Sequence, residues 1–194
     1  ICKFDKKRMN IDVLISICIG IGLAASTGFR VFLPLFLLSI ASYFHFISLT
    51  DSLSWLGNPI SVVVLGVAML VEIVAYYIPF IDNLLDTIAV PLATIAGFLV
   101  MFATSVHLDP TLATIVSLIA GSGTAAAVQS FTTVTRLGSS VKTGGLANPI
   151  VTTTETGSAL ALSSLSIFLP IVAGVVVVIL LFVLVFFYKY LKNI

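Results

Sequence analysis

The chain has 194 residues, of which 59% are hydrophobic and only 9% are charged. A soluble domain carries about 25% charged residues, so this composition excludes an ordinary soluble protein and indicates that lipid surrounds much of the surface. The formal net charge of +1 also excludes the basic field on which nucleic-acid binding depends. We therefore expect an all-helical, multi-pass integral membrane protein whose first partner is membrane lipid, with no nucleic acid bound.

A basic leader, residues 1–10, precedes the first apolar stretch. Its basic residues are Lys3, Lys6, Lys7 and Arg8. A secretory signal peptide begins in the same way, but the apolar run continues to Phe46, which favours the charged flank of a membrane span. Because Lys and Arg stay on the cytoplasmic side of a membrane, the leader is predicted to be cytoplasmic.

Six apolar stretches follow the leader and predict six spans. They cover residues 11–46, 60–79, 88–106, 111–135, 150–169 and 170–188. As one straight helix the first stretch would be about 54 Å long, whereas the hydrocarbon core is only about 30 Å thick. It is therefore predicted to break at Gly28 or Pro34, as one broken span or as a span followed by a re-entrant helix.

The remaining basic residues set the predicted orientation. The tail carries Lys189 and Lys192 beside Tyr188 and Tyr190, which is typical of an interfacial anchor on the cytoplasmic side. Two cytoplasmic termini need an even number of spans, and six satisfy this. The same rule places the loop with Arg136 and Lys142 inside and the loops around Asp51 and His107 outside, in a plasma or inner membrane.

The chain contains two matched pairs of segments. Residues 16–25 and 117–126 both read S-x-x-x-G-x-G-x-A-A, and Leu56-Gly57-Asn58-Pro59-Ile60 recurs as Leu146-Ala147-Asn148-Pro149-Ile150. Apolar, Gly-rich sequence matches itself easily, yet two matches in the same order favour a duplication. The chain then divides into repeat 1 at 11–106 and repeat 2 at 111–190 within one integral domain. Three spans in each repeat would make the two repeats inverted relative to each other, as in many transporters.

Each Asn-Pro pair predicts the start of a helix. Asn is a favoured N-cap, and Pro fits the first helical position because the N–H it lacks has no partner there. Asn58 and Asn148 could simply start two helices at the membrane surface. In inverted repeats, however, they would aim two helix N-termini at an anionic or dipolar guest from opposite sides.

Four ionisable residues lie inside the apolar stretches, where each costs several kcal/mol unless it is paired or hydrated. They are Arg30, Glu72, Arg136 and Glu155. Glu72 follows Pro59 by about 20 Å of helix and is the strongest functional candidate; an ion pair with an arginine is the alternative. Glu155 lies in the polar run Thr152–Thr156, which is predicted to line a cavity.

The arginines and the other titratable residues leave more than one interpretation open. Arg30 could extend to the membrane surface, whereas Arg136 ends a polar stripe that should face the same interior as Glu155. Asp82 and Asp86, four residues apart, fit a cation site or, more simply, a solvated turn. The histidines lack the spacing of metal ligands, and no catalytic constellation is present. We therefore expect no metal site, no cofactor and no enzymatic activity.

Several ordered blocks of the sequence resemble a known family. They are Gly22-Leu-Ala-Ala-Ser-Thr-Gly-Phe-Arg30-Val-Phe-Leu-Pro34, Leu70-Val-Glu72-Ile-Val-Ala with Ile78-Pro79 and Asp82-Asn-Leu-Leu-Asp86, and Gly144-Gly-Leu-Ala-Asn148-Pro149. Together, over about residues 18–170, they are similar to the small membrane proteins grouped as domain of unknown function 4126. The resemblance implies a multi-pass membrane fold and no particular activity. The chain departs from the family at Tyr76-Tyr77 and at Thr156, which weakens cation binding at those positions.

These patterns favour a channel or secondary transporter with its site near the midplane between the repeats. Asn58 and Asn148 would point helix starts at a small anionic or polar solute or an anionic lipid head group. Arg30 and Arg136 would compensate its charge, and Glu72 and Glu155 would carry a proton or hold the arginines. The alternative is a structural subunit without transport activity that packs against a second copy or another membrane protein. A polar cavity reaching Glu72 would favour transport, and a dry Glu72-arginine pair would favour the alternative.

Overall fold

The computed structural model describes residues 2–143 and 147–192. Within these ranges it describes all side chains except those of residues 2–10, 79, 80, 83, 142, 188 and 190–192. The predicted loop segment Gly144-Gly145-Leu146, the basic side chains of the leader and the aromatic side chains of the tail therefore lie outside the described part.

All regular elements in the described ranges are helical, which confirms the all-helical part of the predicted fold class. The eight α-helices are α1 (Cys2–Thr27), α2 (Phe32–Tyr43), α3 (Pro59–Ala75), α4 (Pro79–Thr104), α5 (Pro110–Val116), α6 (Ser122–Thr143), α7 (Asn148–Phe168) and α8 (Pro170–Lys192). A 3-10 helix (Asp51–Gly57) precedes α3. A π-helical turn (Ser117–Gly121) joins α5 to α6, so that these form one long rod.

Three helical segments in the described ranges are long and apolar enough to cross a membrane. They are Leu84–Thr104, Pro110–Val141 and Pro170–Phe187. The 3-10 helix and α3, which meet at an angle of 71°, would make a fourth span if counted together. Three or four such segments fit a multi-pass membrane protein, and the count of six stays a prediction.

The predicted break in the first apolar stretch is confirmed at Gly28. Helix α1 ends at Thr27, and α2 begins at Phe32. Pro34 instead lies in the first turn of α2, where proline is tolerated because that turn has unpaired N–H groups in any case. At Gly28 a β-carbon would lie 2.8 Å from the carbonyl oxygen of Ala125, so only glycine lets α1 approach α6 this closely.

Helices α1 and α2 form a hairpin that returns to the end of the bundle where it began. Asp12 in α1, Phe46 and Ser48 after α2, and His107 after α4 line one cavity of about 160 Å³. We call this the His107 end. The sequence predicts the leader and the His107 loop on opposite membrane faces, and this orientation stays a prediction; in the fold, the start of the first apolar stretch and the His107 loop lie at the same end of the bundle.

Helix α4 lies between α1 and α6 and runs antiparallel to both. A β-carbon at Gly20 would meet the α-carbon of Met101 at 3.2 Å, and one at Gly121 would meet the β-carbon of Met101 at 2.7 Å. At the other end, Arg136 of α6 contacts Asp82 near the start of α4. The two copies of the Gly-Ala motif therefore both contact α4 at Met101 and run in the same direction.

The two Asn-Pro helices, by contrast, run in opposite directions. The end of α3 meets the beginning of α7, where the Thr152 hydroxyl lies 3.4 Å from the Tyr76 carbonyl oxygen that accepts from it. The first half contains the 12-residue helix α2, whereas the second half has no helix in the corresponding place. This extra helix accounts for the longer connection in the first half and reverses the chain direction between the two motifs.

Candidate functional site

Six ionisable side chains meet inside the bundle, and we call them the charged cluster. They come from the α1–α2 break and from α3, α4, α6 and α7: Arg30, Glu72, Asp82, Asp86, Arg136 and Glu155. Arg30 is 1% exposed and Arg136 is 2% exposed, which makes them the largest fully buried side chains described. All four ionisable residues predicted for the site are therefore buried, and Arg30 does not extend to a membrane surface.

Glu155 is the centre of the cluster because it contacts both arginines. The Nε of Arg136 donates to its two carboxylate oxygens at 3.0 and 3.1 Å, and the Nη2 of Arg136 donates to Oε2. The Nη2 of Arg30 lies 3.6 Å from the same Oε2. One carboxylate of α7 thus bridges two guanidinium groups that belong to different halves of the chain.

The other side of Arg136 is held by helix α4. Its Nη1 donates to Oδ1 of Asp82, while its Nε lies 4.0 Å from Oδ1 of Asp86. The second oxygen of Asp82 accepts from Nδ2 of Asn148 at 2.9 Å. The two aspartates therefore belong to the buried network, and the simpler interpretation of a solvated turn is not what the structure shows.

Tyr76 separates the two arginines. Its ring lies 4.1 Å from the Cζ of Arg30 and 4.3 Å from the Cζ of Arg136, measured to the ring centroid. A guanidinium over an aromatic face is attracted by the ring quadrupole, so the ring stabilises two like charges that would otherwise repel each other. Sequence reasoning noted Tyr76 only as a departure from the family pattern, since an aromatic residue at a helix end gives no sign of its partners.

Arg30 is only partly satisfied. Its Nε donates to the hydroxyl of Thr156 at 3.0 Å, and its Nη2 donates to the carbonyl oxygen of Thr152 at 3.1 Å. Its Nη1 is buried and makes no hydrogen bond to any residue that the structure describes. A buried guanidinium N–H without an acceptor is costly, and Nη1 is such a donor on a guanidinium whose Nη2 lies near Glu155.

Glu72 has a different environment from the one the sequence suggests. Its two oxygens accept from the backbone N–H groups of Val31 and Phe32 at 2.8 and 2.9 Å. These residues begin α2, whose N-cap Val31 has no capping side chain of its own. Glu72 therefore caps α2 from α3, and within the described side chains it forms no ion pair shorter than 4.0 Å.

The two Asn-Pro pairs start helices as predicted, but only one of them reaches the cluster. Asn58 is exposed and accepts from the N–H of Ile60 at 3.0 Å, which makes it an ordinary N-cap of α3. Asn148 is buried in the first turn of α7 and donates to Asp82 and to the hydroxyl of Ser140. The arrangement of two helix starts facing one guest is therefore not observed.

A cavity of about 230 Å³ lies between α6 and α7 and reaches Glu155. Four of the residues that line it carry hydroxyl groups: Thr132, Thr135, Thr154 and Ser158. Apolar walls come from Phe29, Phe131, Ile150 and Val151. The cavity predicted at Glu155 is present, whereas Glu72 does not line it.

The described part of the chain offers few ligands for a metal ion. It contains no group of three or more His, Cys, Asp or Glu side chains that could hold an ion. The carboxylates of the cluster bind guanidinium groups and amides instead. The arrangement can hold an oxyanion at the arginines and a proton at the carboxylates.

Fold and site together define a class: an all-helical protein with apolar helices long enough to span a membrane, built around buried ion pairs. The family model described as "Domain of unknown function (DUF4126)" matches residues 17–190, and the chain belongs to this family. No curated protein and no solved structure matches the chain.

Proposed function

We propose that this protein is a small secondary transporter or channel that moves a small anion or polar solute past the charged cluster. The observation that carries the proposal is a pair of fully buried arginines bridged by Glu155 at the edge of a cavity. An anionic lipid head group presents the same oxyanion chemistry, so it is the second source of substrate. Charges inside apolar helices are costly and typically mark solute or ion pathways.

The location of the cluster supports transport between two halves. Arg30, Glu72 and Asp82 come from repeat 1, and Arg136 and Glu155 come from repeat 2. In transporters built from repeats the substrate site lies at the interface between them. In the proposed architecture the repeats move relative to each other around this cluster, within a membrane domain of about six spans.

The charge balance supports coupling to protons. Two N–H groups at the start of α2 compensate Glu72, which leaves three carboxylates facing two arginines among the described side chains. An uncompensated buried charge is unfavourable, so the charged cluster without substrate should hold about one additional proton. A site that takes up protons and also presents arginines can couple anion movement to a proton gradient.

Transport in proteoliposomes tests the proposal. We expect Arg30→Gln and Arg136→Gln each to lower uptake at least about tenfold, because loss of a charged partner costs about 1.4 kcal/mol or more in binding. The probes are radiolabelled pyruvate, inorganic phosphate and, for the lipid source, fluorescent short-chain phosphatidylserine. Asp109→Asn is the control, since Asp109 is exposed and its side chain makes no capping hydrogen bond.

One observation favours the alternative, a structural membrane subunit. Arg136 is engaged on both sides by Asp82 and Glu155, as expected of an ion pair that only holds helices together. If no probe crosses the membrane and both arginine variants only lower the unfolding temperature, the structural interpretation replaces transport.

A further inference from the structure

The geometry points to Glu155 as a carboxylate that occupies the substrate's place at the two arginines and gives up that place when it is protonated. It also points to a short-chain monocarboxylate as the substrate. This inference rests on the proposed function and names its substrate class and its coupling ion. Glu155 faces the cavity on one side and the two arginines on the other. It is thus placed where an entering anion would first meet the guanidinium groups.

The carboxylate of Glu155 shows which ligand the arginines accept. A planar guanidinium matches a planar carboxylate through paired N–H···O bonds, and Arg136 makes such a contact through Nε and Nη2. A free carboxylate in the same place would keep these bonds. It would also find an additional donor in the unpartnered Nη1 of Arg30.

The cavity limits the size and chemistry of the rest of the ligand. Its volume of about 230 Å³ is below the range of about 300 to 1,000 Å³ for sites that bind drug-sized molecules. Phe29, Phe131, Ile150 and Val151 supply an apolar wall, so a short apolar tail fits better than a second charge. The threonine hydroxyls already donate to backbone carbonyl oxygens and can accept from a hydroxy substituent, while the hydroxyl of Ser158 can donate to a keto oxygen.

The proposed step exchanges one carboxylate for another. A proton binds a carboxylate oxygen of Glu155, and the ion pairs of Glu155 with Arg136 and Arg30 are lost. The monocarboxylate then pairs with both arginines, so one proton and one anion enter together and the charge of the site does not change. Release reverses the order: the anion leaves, Glu155 gives up its proton and pairs with the arginines again.

Several charged and titratable groups surround Glu155 and influence the pH at which this exchange occurs. Arg30 in the α1–α2 break and Arg136 on α6 are the cations that face its carboxylate. Asp82 and Asp86 on α4 and Glu72 on α3 are the other acidic groups of the cluster, and the ring of Tyr76 lies against both arginines. Because each anion enters with one proton, a lower external pH should increase anion uptake.

Calorimetry on the purified protein in detergent tests the exchange directly. Pyruvate is titrated at fixed pH in buffers that differ in ionisation enthalpy, which gives the number of protons taken up on binding. We expect about one proton per pyruvate for the wild type and about none for Glu155→Gln, which imitates the protonated acid. Asp109→Asn is the matched control and should behave as the wild type.

The outcomes separate this inference from the proposed function. Pyruvate binding without proton uptake by the wild type, or full proton uptake by Glu155→Gln, overturns the role of Glu155 but not transport itself. If the wild type transports phosphate or the lipid probe but does not bind pyruvate, the substrate class is wrong and the proposed function stands. If Glu155→Gln does not fold, the proton count of the wild type still decides.

Discussion

The Glu72 carboxylate closes the N-terminal end of α2, where the surrounding apolar helices offer no water to do so. Helix ends leave N–H groups without partners, and such groups are costly in an apolar environment. A carboxylate is a strong acceptor, and its negative charge also complements the positive end of the helix dipole. Glu72 is therefore a positioning residue: it fixes the break in which Arg30 stands.

Replacing Glu72 by Gln tests this role. The amide retains one acceptor but turns its NH₂ group toward the second backbone N–H, so one hydrogen bond and the charge are lost. We expect the free energy of unfolding to fall by about 1 to 2 kcal/mol, the range for a lost cap. Thermal unfolding in detergent measures the change, with Asp109→Asn as the control. Unchanged stability would show that the cap contributes nothing.

Glu72 also shows which features of the charged cluster can be predicted from the sequence. Charges within apolar stretches correctly indicated that Glu72, Arg136 and Glu155 lie in the interior, because burial follows from the residues on either side, whereas for Arg30 they left a position at the membrane surface open. The partner of Glu72 could not be predicted, since backbone N–H groups are exposed at a break whose position in space depends on tertiary packing. Asp82 and Tyr76 were missed as cluster members for the same reason: their partners are distant in sequence.

Helix α4 holds the bundle together through contacts that leave no room for side chains. A β-carbon at Gly97 would lie 2.5 Å from the β-carbon of Ala125 and 2.7 Å from the carbonyl oxygen of Gly121. Small residues let helix backbones approach closely, which is how apolar helices associate in lipid. Gly97 itself lies outside the repeated Gly-Ala motif, so the repeat alone does not indicate this contact.

Two glycine-to-alanine substitutions measure this contact. Gly97→Ala should lower the free energy of unfolding by about 1 to 3 kcal/mol, because the backbone of the π-helical turn must move. Gly157→Ala is the matched control within α7, since a β-carbon there meets nothing within 4 Å. It should raise stability by up to about 1 kcal/mol through helix propensity. Equal effects of both substitutions in detergent unfolding would contradict the packing argument.

At the scale of the whole molecule, the apolar stretches were found correctly, but the path of the chain was not. Hydropathy marks a helix without giving its direction, and a hairpin of two short helices has the same composition as one long span. Gly28 marks the break in the sequence, but the direction that the chain takes after it depends on packing, such as the close approach of Gly28 to α6. The Asn-Pro helices run in opposite directions and the Gly-Ala copies in the same direction, and the inverted-repeat architecture stays a prediction.

The helix directions also bear on where the two ends of the chain lie. Helix α8 begins beside α1, with Gly174 facing Cys18, and reaches Phe131 of α6 through the ring of Phe187, 5.8 Å away. Phe131 lies on the way from Gly121 to Arg136, and hence toward the end opposite His107. The contacts therefore argue that the leader and the end of α8 lie on different faces of the membrane, although the basic residues predict one face for both.

Labelling with a membrane-impermeant maleimide distinguishes the two arrangements. Each protein carries Cys18→Ala and one remaining cysteine. Cys2 reports on the leader. With Cys2→Ser in addition, His107→Cys reports on the loop after α4 and Lys189→Cys reports on the end of α8. We expect Cys2 and the thiol of the His107→Cys variant to react from the same side of the membrane. The thiol of the Lys189→Cys variant should react from the other side, because the α1–α2 hairpin adds a change of direction that the pattern of basic residues does not indicate. If the leader and the end of α8 react from one side and the loop after α4 from the other, the chain crosses six times as the sequence predicts, and α1 and α2 form a single broken span.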